Sequence, residues 1–407
     1  MTFDSITLDG LQKLPLFTLS GEAQKLPIKI EGFLHSEYCE LPPIQWVYGN
    51  FLQRGTVSAL IGAAGQGKSM IALGMGICLA FGESFYFDTV KQKSRVWLFN
   101  GEDSKDNLQR RIHAFCKKNE LNPKELEGQF FINSGLENSL KCAWSESGSK
   151  FVENETEIQS IISQLKEMKI DVAIFDPFIS FHRVNENDNN AIDIVVKLFA
   201  KIAVEANCAV LLVHHSGKSR GEAVGFEGAR GASSFIGAVR AAWVLNNLSN
   251  ADGERFGIKY EEIAQYVTIT EVKSNFAAKS SKKKYFKLES EFFENANQEI
   301  ESMGVAVAQN FEAIDVFQEI MSDEQWVELI PILKNGKWRY NSQAKDWIGI
   351  PISELLKKEL GNRDDKHFIR KLIDEAINSE ILEKYNEIDH RRHEKEFVRV
   401  KNAPSIV

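Results

Sequence analysis

At 407 residues the chain exceeds one ordinary domain, and with 43% hydrophobic and 26% charged residues it can bury a real core, which excludes wholesale disorder. Its formal charge of -8 does not announce a nucleic-acid binder and does not exclude one, because steering depends on local patches rather than on the sum. The five cysteines (Cys39, Cys78, Cys116, Cys142, Cys208) are scattered and lack C-x-x-C spacing, which speaks against structural zinc or a disulfide framework; with no leader-like start and no long apolar span, a cytoplasmic protein without membrane contact is expected.

Residues 1–44 mix Pro, Glu and short apolar runs without period. They read as an N-terminal arm or cap, with packing on a neighbouring subunit as the sharper alternative. Leu41-Pro42-Pro43-Ile44 is a breaker before the main domain, set at residues 45–295. Thr56 to Ile61 reads as a buried strand and Met70 to Phe81 as an apolar helix, and Gly62-Ala63-Ala64-Gly65-Gln66-Gly67-Lys68-Ser69 joins them. In that setting the glycines let backbone N–H groups turn inward around a phosphate at a helix N-terminus. Lys68 can reach the β and γ phosphates, and the Ser69 hydroxyl can ligate Mg²⁺.

Arg95 to Phe99 is the next strand, ending in Asn100-Gly101-Glu102-Asp103. Ser104 caps a helix through Leu108, Ile112 and Phe115, and Gln129 to Ile132 is a short strand. Polar residues 137–155 read as a surface loop. Ile158 to Met168 is an amphipathic helix leading into the apolar strand Asp171 to Asp176, whose terminal Asp176 stands where ligands bind in open α/β sheets and can hold Mg²⁺ through water or Ser69. After a helix over Ala191 to Ala206, the strand Ala209 to Val213 ends in His214-His215. A polar residue there can hydrogen-bond a γ-phosphate; the plainer reading is a pair satisfied by backbone at the sheet edge. Ser216 to Ala229, rich in Gly and charge, reads as a loop, and a short helix to Val239 and strands at Ala241 to Leu245, Tyr266 to Val272 and Tyr285 to Leu288 follow. Strands alternating with helices predict an α/β fold with a mostly parallel sheet.

The succession GAAGQGKS, NGED, AIFDP, LLVHHSGK, ARGASSFIGAVRAAWVL and EVKSN resembles the RecA-like P-loop core of RepA-type hexameric replicative helicases, over roughly residues 45 to 290. The resemblance implies ATP and Mg²⁺ as cofactors, with Gly62, Gly65, Gln66, Gly67, Lys68 and Ser69 around the phosphates. It implies Glu102 as the base activating the attacking water, with Asp103 an adjacent alternative, and His215 as γ-phosphate sensor beside Lys68 and Asp176. Arg111 matches a residue stacking on adenine, and Arg240 and Lys273 match basic residues near the nucleotide, some reaching across to a neighbouring subunit. It further implies a hexameric homo-oligomer acting on single-stranded DNA, with Lys218, Arg220 and Arg230 facing a central channel. A nucleotide-switched regulatory DNA-binding ATPase is the alternative.

Residues 290 to 310 read as a polar stretch before a second domain over 310–402. Helices are expected at Phe311 to Met321, Ile352 to Leu360 and Lys366 to Ile377, and strands at Ile381 to Ile388 and Glu396 to Val400 around His390-Arg391-Arg392-His393. This resembles a small winged-helix-like α+β domain, a possible site for duplex DNA or a protein partner. Ten Lys or Arg against ten Asp or Glu between Arg363 and Lys401 give it no net basic character.

Overall fold

The computed structural model describes residues 30, 32–146, 150–215, 233–280, 282–311, 323–378, 381–388 and 394–401. The chain divides into two compact units, Met1–Ile44 and Gln45–Val407. In the first, the described residues are extended except for one 3-10 turn, Tyr38–Glu40, with a capping box on Glu37.

The second unit opens with a hairpin of β1 (Trp46–Tyr48) and β2 (Leu52–Gln53), which the sequence did not announce. It then alternates β3 (Val57–Gly62), α1 (Lys68–Phe81), β4 (Val96–Asn100), α2 (Lys105–Lys118) and β5 (Phe130–Ser134). Residues read as a surface loop instead form β6 (Ala143–Glu146) and β7 (Lys150–Glu153), which pair antiparallel and join β9 (His182–Arg183) in a separate small sheet. The main series continues with α3 (Glu155–Glu167), β8 (Val172–Asp176), α4 (Asn189–Ala206), β10 (Ala209–His215), α5 (Ser233–Ala238), β11 (Ala241–Asn247), α6 (Asn250–Arg255) and β12 (Tyr266–Ser274).

β13 (Lys284–Glu294) and β14 (Ile300–Gln309) complete a nine-stranded sheet, ordered β14-β13-β12-β11-β3-β10-β8-β4-β5. From β11 to β5 all neighbours run parallel, and β12 to β14 add antiparallel. Alternate residues of the central strands enter opposite cores. Val57, Ala59 and Ile61 pack with α3, α4 and α5, whereas Leu60, Leu211 and Ile174 pack with α1 and α2. Helices on both faces explain why these strands are continuously apolar rather than alternating.

The sheet does not stop near residue 290, where the sequence reads as polar. It continues to Gln309 because the acidic side chains of the last hairpin face basic ones on α2: Lys118 reaches Glu289 at 2.6 Å and Arg110 reaches Glu301 at 3.4 Å. Its apolar residues, Val305 and Ala306 among them, close over α1, and the Tyr86 hydroxyl donates to the Ala306 carbonyl at 3.2 Å. α1 is apolar all round for this reason: the sheet covers one side and the hairpin another.

Towards the C-terminus stand α7 (Asp323–Asn335), which sequence periodicity did not indicate, β15 (Trp338–Arg339), α8 (Gly349–Leu355), α9 (Arg363–Asn378), β16 (Leu382–Ile388) and β17 (Glu394–Val400). The three strands form an antiparallel sheet ordered β15-β17-β16, with its own core of Leu329, Leu333, Trp347, Ile352, Ile369, Leu372, Ile373 and Val398. This small domain matches the expected α+β pattern, and helix α8 starts and ends earlier than its apolar run suggests. The helix expected at Phe311 to Met321 lies, beyond Phe311, outside the described residues, as does His390 to His393. Among the described residues no helix is long and apolar enough to cross a membrane.

Candidate functional site

The parallel strands all end on one edge of the sheet, and strand order decides what meets there. β10 lies between β3 and β8, so His215 is paired with Gly62 at the start of the loop. β4 lies beside β8, so Asn100 is paired with Asp176. Side chains more than a hundred residues apart in sequence thereby reach one crevice.

The loop itself is set by backbone geometry. Gly67, the N-cap of α1, has φ 80°, and a Cβ there would stand 2.8 Å from Leu288 Cδ2 on β13, so both conformation and space demand glycine. A Cβ on Gly62 would stand 2.7 Å from Gln66 Oε1, which accepts from the Ala63 N–H at 2.8 Å, while Gln66 Nε2 donates to Asn247 Oδ1 at 3.3 Å. Among the described residues, no backbone carbonyl accepts from the N–H groups of Ala64 to Ser69. A bend of unpartnered N–H groups at a helix N-terminus is an anion cradle.

Lys68 is buried and its ammonium donates to the Ala63 carbonyl at 2.7 Å. Burial lowers its pKa to about 8, with the charges of Asp176 and Glu102 resisting the fall. Asp176 is buried too. Burial raises its carboxyl to about 6, opposed by a hydrogen bond from the Ser69 hydroxyl and by Lys68, and reinforced by Glu102 and Asp103. Ser69 and Asp176 thus share one oxygen-lined spot, the chemistry a hard divalent cation takes. Among the described residues no three His, Cys, Asp or Glu are grouped to hold a metal alone, so a cation here would complete its shell with phosphate oxygens and water.

Glu102 is exposed at the tip of β4, and among the described residues its carboxylate makes no ion pair. Asp103, the alternative base, is occupied: Arg111 Nε donates to Asp103 Oδ2 at 3.0 Å. The two histidines diverge, as neighbours on a strand must. His214 is buried between Phe235 and Phe178 and pushed down to about 4 by burial, whereas His215 is half-buried on the side of Lys68 and Glu102, which both influence it. Among the described residues neither histidine's Nδ1 has a hydrogen-bond partner, and His214 Nδ1 faces Glu186 Oε1 at 3.8 Å.

The structure therefore brings Gly62, Gly65, Gln66, Gly67, Lys68, Ser69, Glu102, Asp176 and His215 to one edge. It does not bring Arg240 or Lys273 there. The Arg240 N–H donates to the Val57 carbonyl at the opposite end of β3, roughly 17 Å from Gly62 at about 3.3 Å per residue. Lys273 is paired with Ala242 near that same far end, and its ammonium donates to the carbonyls of Ile236 and Gly237 at 3.0 and 2.6 Å. Both stand away from the loop of their own subunit, and the antiparallel turn-back of β12 carries Lys273 from it. Arg111 stands nearby but holds Asp103. Lys218, Arg220 and Arg230 lie outside the described residues.

Sequence reasoning missed Asn100. Its Oδ1 accepts from the N–H groups of Glu102 at 2.9 Å and Asp103 at 2.7 Å, and its Nδ2 donates to Asp176 Oδ2 at 3.0 Å. The signal was present, since an Asn two residues before a key side chain commonly turns its own backbone.

Residues 27–221 match a family model described as an AAA domain. A KaiC-like protein of the hyperthermophilic archaeon Pyrococcus horikoshii OT3, solved as a crystal structure, is similar at 16% identity over 66% of this chain and 100% of its own, with a TM-score of 0.40, and that likeness carries none of the reading below. The matched segment contains the phosphate loop, Glu102, Asp176 and His215.

Proposed function

We propose that the protein is an ATP-hydrolysing, RecA-like DNA motor, a RepA-type ring helicase or translocase acting on single-stranded DNA. ATP fits the cradle: the N–H groups of Ala64 to Ser69 and the Lys68 ammonium suit the phosphates, and Ser69 with Asp176 suits Mg²⁺, which would neutralise phosphate charge. Glu102 takes a proton from the attacking water, and His215 contacts the terminal phosphate.

The observation that carries a ring rather than a monomer is the position of Arg240 and Lys273. Arg240 is exposed at the sheet end remote from its own loop, where it can meet a nucleotide on an adjoining subunit, and Lys273, held by the Ile236 and Gly237 carbonyls, stands beside it. Arg240→Ala and Lys68→Ala proteins, each inactive alone, are expected to recover ATPase activity when mixed, because a Lys68→Ala subunit supplies Arg240 to an intact loop beside it. No recovery at any ratio rules out a shared site. The motor itself is tested by ATPase stimulation with single-stranded DNA, and a wild-type enzyme indifferent to it is not a translocase.

The C-terminal domain supports a second reading, a nucleotide-switched regulatory ATPase held on duplex DNA. Its order of helix, strand, two helices and two strands is that of a winged helix, with α8 and α9 as the helix pair. On α9, Arg363, His367 and Arg370 are exposed and make no ion pair among the described residues, Lys371 meets Glu254 at 3.2 Å, Asp365 is held by Lys358 and Asp374 by Tyr340. Reversing Arg363 and Arg370 to Glu is expected to weaken duplex binding and to flatten its salt dependence by about two counterions. Unchanged anisotropy titrations would leave the domain to a protein partner.

A further inference from the structure

A buried hydrogen bond between two strand tips of the site is made by a residue to which neither ATP binding nor the sequence motifs assign a part. Asn100 is buried at the end of β4, and each atom of its amide is engaged. The nitrogen donates to Asp176 at 3.0 Å, and the oxygen accepts from the N–H groups of Glu102 and Asp103. The backbone around it is laced across three strands: Gly101 N–H donates to the Asp176 carbonyl and Gly135 N–H to the Asn100 carbonyl, both at 2.7 Å. Ser134 Oγ donates to the Asp103 carbonyl at 2.7 Å, which pins the far side of the same turn.

We infer that Asn100 is a positioning residue that fixes the distance between the cation-binding carboxylate, Asp176, and the turn carrying the base, Glu102. The deduction rests on the ATPase reading above and adds a residue to it. An amide is the side chain that suits this place, because it offers a donor to one partner and an acceptor to the other from a single plane. Aspartate, the same size, keeps the acceptor and sets a second buried carboxylate against Asp176. Alanine or serine releases Asp176, and alanine, with no acceptor, also lets the turn of Glu102 drift. All the amide contacts of Asn100 among the described residues go to Asp176 and to the turn of Glu102 and Asp103, so it acts through them.

The test separates positioning from bulk stability. Affinity for a fluorescent ATP analogue is measured with Mg²⁺ and with EDTA, alongside steady-state ATPase, on wild type, Asn100→Asp and Asn100→Ser, each checked by thermal melt. Metal-free affinity is expected to hold, because Lys68 and the loop N–H groups are untouched. The Mg²⁺-dependent gain in affinity and kcat are both expected to fall about 10- to 100-fold, as they do when a partner of a metal-binding carboxylate is lost. Asn100→Ser, which retains a short acceptor for the turn, should lose less kcat than Asn100→Asp, and it also covers the case in which the buried acid unfolds the protein. Folded variants with wild-type Mg²⁺ response and kcat within twofold overturn the inference. A wild-type protein that binds no nucleotide overturns the ATPase reading itself, a different result from the same assay.

Discussion

Lys68→Ala abolishes nucleotide turnover, with kcat falling by about 100- to 1000-fold, the scale seen when one donor to developing negative charge is removed. The ammonium is buried beside Asp176 and Glu102 and donates to the Ala63 carbonyl. A triphosphate in the cradle replaces that carbonyl and holds the lysine charged. Two pH effects follow from a value near 8. Lys68 has a folded pKa below its unfolded one, so the unfolded chain binds more protons between about 8 and 10.5, and the nucleotide-free protein gains stability as pH rises through that window. Nucleotide affinity moves the other way and declines above about pH 8, as the lysine loses the proton that the phosphates require. Isothermal titration of an ATP analogue across that range should show the declining limb in wild type and none in Lys68→Ala; a limb of equal size in both would assign it to another group.

Glu102→Gln leaves nucleotide bound and removes the chemistry, with a loss of about 100- to 10,000-fold in kcat, as for a general base. Glu102 is exposed and holds no part of the phosphate loop, so affinity for an ATP analogue should stay close to wild type. Asp103→Asn is the companion. Asp103 is bound by Arg111 and its own backbone by Asn100 and Ser134, so its carboxylate is structural, and the neutral variant should retain most of the rate. Single-turnover hydrolysis read by phosphate release decides between them, and a dead Asp103→Asn beside an active Glu102→Gln would exchange their roles.

The site was legible wherever chemistry and local pattern coincide. The phosphate loop and Asp176 were read from residue type at strand ends and His215 from the family resemblance, and the sheet edge gathers all three as the alternation of strands and helices requires. What stayed hidden depends on strand order, which no local window contains. Arg240 and Lys273 follow the right motifs in sequence, yet the chain enters β11 and leaves β12 at the wrong end of the sheet for their own nucleotide. The last two strands were hidden for a different reason. In β13 and β14 Glu289, Glu291 and Glu301 look like solvent-facing linker, and the lysines and arginine of α2, far upstream, give them partners that no local window shows. The small sheet of β6, β7 and β9 escaped because its strands are short and two of them face solvent for much of their length.

The roof that β13 and β14 lay over α1 bears on any shortened protein. A chain cut near residue 290 would strip Val305 and Ala306 from a helix that is greasy on every side, and would take away the backbone oxygen that the Tyr86 hydroxyl reaches. Because Leu288 rests on Gly67, trimming from that end would also loosen the bend that grips phosphate. The smallest piece that can serve as a catalytic fragment therefore runs to Gln309, and whatever pulls on that terminus pulls on the roof above the nucleotide.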